Sequence, residues 1–278
     1  MKDYLSTQEF YARIPDEASC REYIGEQRWE IRLACLLCGN EKVWEINDGM
    51  GFKFGDCPPN ACRFSVRTGT VMEKSRVSLQ NWRLAIHMMT TACKEFSSVQ
   101  FAKHLGVTQK TAWNMEHGIR NACEDETPML SGDIEINETY IGGRRANMGN
   151  AKRKALADNG RSVVGDAAVI GMKEHGGNVV AIPVAQTNQE TLLPIVNEIV
   201  EQDSNVYIEG SKSYVNLNNA FDHESVSHSA SEYVWDNAHT NSIESLWVLI
   251  KRGYYGTHHL WSCKHVHRYV AEYVYCQN

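Results

Sequence analysis

The chain has 278 residues, of which 42% are hydrophobic and 22% charged, the balance of a soluble globular protein large enough for two or three small domains. No run approaches the ~18 apolar residues that a membrane span needs. The N-terminal stretch "MKDYLSTQEFYARIPDEASC" has no apolar core of the secretory kind, so a membrane or secreted role is not expected. Nine cysteines, an odd number, fit a reducing compartment and metal binding rather than a disulfide framework. The expected location is the cytoplasm, on the nucleoid in a bacterium or in the nucleus of a eukaryote. Net charge is −6, yet residues 53–120 hold ten Lys or Arg against four acids, while residues 155–250 hold only Arg161, Lys173 and Lys212 against many. A basic front and an acidic rear suit a DNA grip followed by cation-dependent chemistry. Two solvated faces are the plain alternative.

The first stretch, to about residue 34, spaces its apolar residues by three and four and predicts helix. Next, Cys35 and Cys38 in "CLLCGN" are followed by a predicted hairpin and by Cys57 and Cys62 in "CPPNAC". Two cysteine pairs on tight turns are the pattern of a structural zinc ribbon, in which four thiolates staple a segment too small for its own core. The second pair departs from the commonest spacing. Free thiols are the competing reading.

Residues 78–122 predict three helices, with Leu79, Trp82, Ile86 and Met89 on one stripe. Their second half has a helix-turn-helix layout: Ser97 or Ser98 caps one helix, Leu105-Gly106-Val107 turns, and Thr108 caps the next. Gln109, Lys110 and Asn114 are the groove-facing candidates, and Arg120 adds a phosphate contact. A plain helical hairpin is the alternative. The acidic stretch 124–130 reads as a linker, giving domains at 1–70, 71–126 and 127–278.

From residue 131 the rhythm changes. Strands are predicted at 132–141, 162–173, 177–185, 205–209 and in "SVSHS" (225–229). Helices are predicted at 188–202, in "SYVNLNNAF", in "HTNSIESLWVLIKRGYYG" and at 262–277. Three antiparallel strands, then alternating helices and strands, is the ribonuclease H-like order, an α/β fold with a mixed five-stranded sheet. In "DIEINETYIGG" the alternation of Ile134 and Ile136 with Asp133, Glu135 and Asn137 predicts a strand with one polar face. In this layout Asn137, Glu209 and the start of a helix with His239, Asn241 and Glu244 converge at one sheet edge. Two-metal phosphoryl transfer needs clustered carboxylates at such places.

The stretches "NETYIGG", "SSVQFAKHLGVTQKTAW", "FSVRTGTVMEKSR", "HTNSIESLWVLIKRGYYGTHH" and "KHVHRYVAEYVYCQN" resemble, in order and over nearly the whole chain, the ISXO-like, Merlin-related insertion-sequence DDE transposases with an N-terminal zinc ribbon. The resemblance implies an enzyme that binds double-stranded DNA at terminal inverted repeats, cuts it, and joins 3′ ends to target DNA with Mg²⁺ or Mn²⁺, as an oligomer on DNA. It places Asn137 and Glu209 where the family has Asp, matches the third position with Asn241 beside Glu244, and matches a downstream Lys with Lys251. Cys276 stands where the family has Arg. An amide at 137 removes a charge that paired cations need, and Glu209 reaches about 1.5 Å further than Asp against a tolerance of about 0.5 Å. Impaired catalysis is the expectation, with a non-catalytic DNA-binding protein as the alternative. Asn241 and Glu244 also form a capping box. Glu135, on the face of Asn137, is the local carboxylate that could substitute for it, while Glu138 points the other way. Ile243, Leu246, Trp247 and Ile250 read as core. His239, His258 and His259 are open between phosphate contact and packing.

Overall fold

The structure is a computed structural model, and it describes residues 5–29, 41, 43–45, 52–54, 63–92, 95–124, 127–142, 149, 167–209, 222–226 and 241–278. Cys35, Cys38, Cys57, Cys62 and His239 lie outside these residues, as does the short helix expected before residue 222. The chain divides into two compact units, Met1–Ala92 with Ser98–Ile119, and Cys93–Ser97 with Arg120–Asn278.

The first unit opens with α1 (Thr7–Arg13) and α2 (Glu17–Arg28). Ser6 and Glu9 close a reciprocal capping box at the start of α1. Three short strands follow, β1 (Val43–Glu45), β2 (Phe52–Phe54) and β3 (Arg63–Phe64), paired antiparallel in that order. Then comes α3 (Leu79–Thr91), whose first backbone N–H groups are received by two carboxylate oxygens of Glu17, from Leu79 at 2.8 Å and Gln80 at 3.1 Å. A carboxylate on exposed helix-terminal amides complements the dipole there.

Two helices close the unit, α4 (Ser98–Leu105) and α5 (Gln109–Ala122), the latter as far as Ile119. Gly106 between them has φ +64, and the Val107 N–H reaches back to the Ala102 carbonyl at 3.1 Å. This glycine-terminated helix end satisfies carbonyls that would otherwise be orphaned. Thr108 Oγ1 accepts from the Thr111 N–H at 3.2 Å and so caps α5. Phe101, Leu105, Ala112, Met115 and Ile119 are buried, which turns the apolar stripes of both helices inward.

The second unit is an α/β arrangement, a mixed sheet with helices on both faces. Its strands are β4 (Asp133–Ile141), β5 (Ala167–Glu174), β6 (Val179–Val184), β7 (Asn205–Glu209) and β8 (Asp222–Val226), in spatial order β6-β5-β4-β7-β8. The first three pair antiparallel, and β7 and β8 continue parallel to β4. A strand expected at 225–229 starts instead at Asp222, because pairing with β7 sets the register from Asn205↔Asp222 onward. The helices are α6 (Gln189–Ile199), α7 (Asn241–Gly253) and α8 (Val266–Gln277).

Strand β4 sends alternate residues to opposite layers. Ile134 and Ile136 join Leu192, Val196 and Ile199 of α6 in one core, while Ile141 joins Ile243, Trp247 and Ile250 of α7 and Val270 of α8 in the other. Each such side chain fully withdrawn from water contributes about 1.5–3 kcal/mol. The face expected to be polar is therefore covered by α7, and Glu135 on it is 0% exposed. Among the described residues no helix is long and apolar enough to cross a membrane.

Candidate functional site

The polar face of β4 meets α7 at a place prepared by a glycine. Asn137 pairs across the antiparallel ladder with Gly171. A Cβ at Gly171 would lie 2.5 Å from Trp247 Cζ2 and 2.8 Å from Ile243 Cδ1, so the helix approaches the sheet as closely as only glycine allows. The start of α7 is thereby held over the sheet, and Asn137, opposite Gly171, is half-buried.

Glu135, two residues before Asn137, receives the N–H of Ile243 on Oε2 at 2.8 Å. Its other oxygen, Oε1, is 2.9 Å from His175 Nε2. His175 in turn stacks on Tyr207 with centroids 5.6 Å apart and planes at 7°. The Tyr207 hydroxyl and the Asn205 amide both donate to Asp133 Oδ1, at 3.2 and 2.8 Å. The expectation that Glu135 could stand in for a missing metal ligand is corrected here. Both of its oxygens are engaged, one on a helix N-terminus and one on an imidazole.

Glu209 ends β7, one step beyond the parallel pair Ile136↔Ile208, which makes it the backbone neighbour of Asn137 on the next strand. Asn241 is the first residue of α7 and is exposed, and Glu244 lies in its first turn, half-buried. The fold thus puts Asn137 and the strand position of Glu209 side by side on adjacent strands, on the sheet face that α7 covers. Lys251 lies in the last turn of α7, half-buried. The donor chemistry at these positions does not suit a divalent-metal centre: Asn137 and Asn241 offer neutral amides where cations want carboxylates. No group of three or more His, Cys, Asp or Glu among the described residues could hold a metal ion.

The DNA candidates separate into two groups. Gln109, Lys110 and Asn114 are exposed on α5, with Lys110 and Asn114 one turn apart on a single face. The Gln109 amide donates to Ser98 Oγ at 2.9 Å. Arg120 is different. It belongs to the second unit, is 1% exposed, and its Nε donates to Glu272 Oε2 at 2.7 Å beneath the Tyr269 ring, so it cannot reach a phosphate. Arg67, counted in the basic excess, is likewise spent on the Ser75 and Val77 carbonyls and on Glu17.

Around Arg120 lies a buried polar cluster that the sequence did not signal. His258 Nε2 is 2.6 Å from Glu95 Oε2, so His258 is a packing residue and not a phosphate contact. Burial lowers the His258 pKa to about 4, with the Arg120 charge adding to the effect. Burial pushes the Glu272 carboxyl up to about 8, because one guanidinium does not offset desolvation and the neighbouring Glu95. Cys276, at the position where resemblance calls for Arg, is exposed near the end of α8.

Comparison with known proteins agrees with this second unit. Over 245 residues the chain is 26% identical to an uncharacterized protein in transposable element ISH50 of Halobacterium salinarum, a match that spans 85% of this chain and 82% of that one. A chain of the simian T-cell lymphotropic virus intasome in complex with PP2A regulatory subunit B56 gamma aligns at TM-score 0.31 and 12% identity, over 70% of this chain and 65% of that one, too loosely to bear on the fold. Residues 129–278, more than half of the chain, match the family model of the ISXO2-like transposase domain. The chain belongs to the ISXO2-like transposase family.

Proposed function

We propose that this is a transposase-like protein that binds transposon-end DNA and has impaired metal-dependent cleavage and strand transfer. The observation that carries the reading is Asn137, an amide beside the Glu209 position and the start of α7, with Glu135 already committed elsewhere. The sheet order supports a ribonuclease H-like assignment of the second unit. The α4–α5 pair, with Gly106 in the turn and exposed Gln109, Lys110 and Asn114, supports a helix-turn-helix that docks on duplex DNA. Three strands of two or three residues, two between the cysteine pairs and one directly after the second pair, support a zinc ribbon, since strands this short call for a further staple. Family membership suggests a divalent metal for catalysis. The amides at 137 and 241 favour, as a second reading, a purely DNA-binding role.

The test is the pair of reversions Asn137→Asp and Glu209→Asp, singly and together, with Mg²⁺ and Mn²⁺ titration by calorimetry beside cleavage of a labelled DNA carrying the transposon end. The double variant should bind metal and cleave, and each single one should do far less, because shared ligands do not contribute additively. An unmodified chain that cleaves as fast as the double variant would falsify impairment. DNA and metal binding without cleavage in any variant would favour the purely DNA-binding role.

A further inference from the structure

Beyond α7 the helix widens instead of ending. Tyr254–His258 form a π-helical turn, closed by the His259 N–H donating to the Tyr254 carbonyl at 2.6 Å. His259 itself has φ +60, the left-handed region that side chains other than glycine rarely occupy. Such π turns and backbone outliers concentrate at functional positions. The turn is braced from within its own unit. Tyr254 and Trp261 are 2% and 4% exposed, Trp261 stacks on Tyr269 with centroids 4.4 Å apart, and His258 is tied to Glu95. On its outer side it holds Tyr255 at 51% exposure and Leu260 at 74%, the highest of the large exposed hydrophobics among the described residues. A braced, strained turn that keeps a tyrosine and a leucine in water is built to bury them against something else.

Charge says what that partner is. Between Glu244 and Glu272 the sequence contains no Asp or Glu, but it has Lys251, Arg252, Lys264 and Arg268 and four histidines, in a chain of net charge −6. His265 lies among these cations, and its pKa is lowered by burial and by Arg268, Lys264 and His267. Along α7 and into the turn, Asn241, Ser245, Val248, Arg252 and Tyr255 recur every three or four residues, and all are exposed. One stripe therefore leads from the candidate site to the turn, about 21 Å at the helical rise per residue. A polyanion with flat apolar faces, DNA with unstacked bases, satisfies both the cations and the exposed tyrosine and leucine.

We infer that the Tyr254–Leu260 turn is a DNA contact, in which Tyr255 and Leu260 pack against bases of an opened duplex end and Arg252 holds a neighbouring phosphate. The span of the stripe sets this contact roughly six base steps from the candidate site. The inference rests on the DNA-binding reading above. It adds a second grip in the unit whose sequence is predominantly acidic.

The experiment uses the full chain and two probes, a blunt DNA duplex and the same duplex with a short unpaired 3′ tail, in a salt titration. Tyr255→Ala with Leu260→Ala should weaken binding to the tailed probe about tenfold while leaving the salt slope unchanged, and Tyr255→Trp should retain wild-type affinity. Arg252→Ala should lower the salt slope by about one. Met129→Ala, an apolar position in the same unit whose exposure lies between those of Tyr255 and Leu260, should change neither. Wild-type affinity of the Tyr255/Leu260 double variant for the tailed probe overturns the inference and leaves DNA binding standing. Changed sedimentation of that variant with unchanged DNA affinity assigns the surface to a second copy of the chain instead. A wild-type chain that binds neither probe removes the DNA-binding reading and this inference with it.

Discussion

Glu135 and Ile243, 108 residues apart in the sequence, meet through a buried hydrogen bond of 2.8 Å from the Ile243 N–H to Glu135 Oε2. A strand carboxylate thus serves as acceptor for the first turn of α7. It fixes the height of Asn241 and Glu244 above β4. Replacing Glu135 by Ala strands a buried amide and removes the partner of His175, which should lower stability by about 1–3 kcal/mol. Glu135→Gln keeps an acceptor and should recover part of the loss. Denaturant unfolding of the three proteins checks the order, and an alanine variant as stable as wild type would refute the role.

Gly171 is the second condition for that approach. Alanine there would place a carbon against Trp247 and Ile243, and overpacking of this kind costs about 1–3 kcal/mol. The expected result for Gly171→Ala is a lower unfolding midpoint, with Trp247→Leu in the same chain restoring part of it by making room.

Arg120 and Glu272 make a pair whose partners cannot be removed singly without harm. Arg120→Ala should destabilise the second unit by about 1–3 kcal/mol, since it removes the buried hydrogen bond from Arg120 Nε to Glu272 Oε2. DNA affinity measured on the folded fraction should be unchanged, whereas a surface phosphate contact would show the reverse.

The same carboxyl imposes a pH dependence. Its folded pKa, about 8, lies above the ordinary value of 4.5, so between those values the folded state holds a proton that the unfolded chain has released. Stability should therefore fall as pH rises from about 5 to about 8, with the full contribution of the neutral form present only below the unfolded pKa. Glu272→Gln, neutral throughout, should flatten that decline. Parallel pH profiles for the two proteins would expose the proposal as wrong.

On α5, Lys110→Ala should weaken binding to all DNA sequences and reduce the salt slope by about one, while Gln109→Ala or Asn114→Ala should change sequence preference. Competition binding with randomised duplexes distinguishes the two outcomes. Equal loss for all three variants would mean that none of them reads bases.

The four cysteines Cys35, Cys38, Cys57 and Cys62 should hold about one zinc ion per chain. Chelation should then loosen the N-terminal region, as seen by proteolysis, and leave the second unit intact. A zinc-free protein with unchanged protease resistance rules the ribbon out.

Local pattern was enough to read much of this molecule. Alternation in "DIEINETYI" gave a strand that runs Asp133–Ile141, glycine at 106 gave a left-handed turn between two helices, and the spacing of Ile243, Leu246, Trp247 and Ile250 gave the buried stripe of α7. Each of these follows from periods of two or 3.6 residues and from backbone freedom, which neighbouring residues alone decide. The roles of polar residues did not follow in the same way. Arg120 reads as a DNA contact from its place in a basic segment, and only its approach to Glu272, 152 residues away, makes it part of a buried pair. Glu135 reads as a spare metal ligand until the start of α7 lands on it. A charged side chain has no period that reports its partner. Whether it faces water, a phosphate, a helix end or another charge depends on desolvation, which is settled when distant segments pack together.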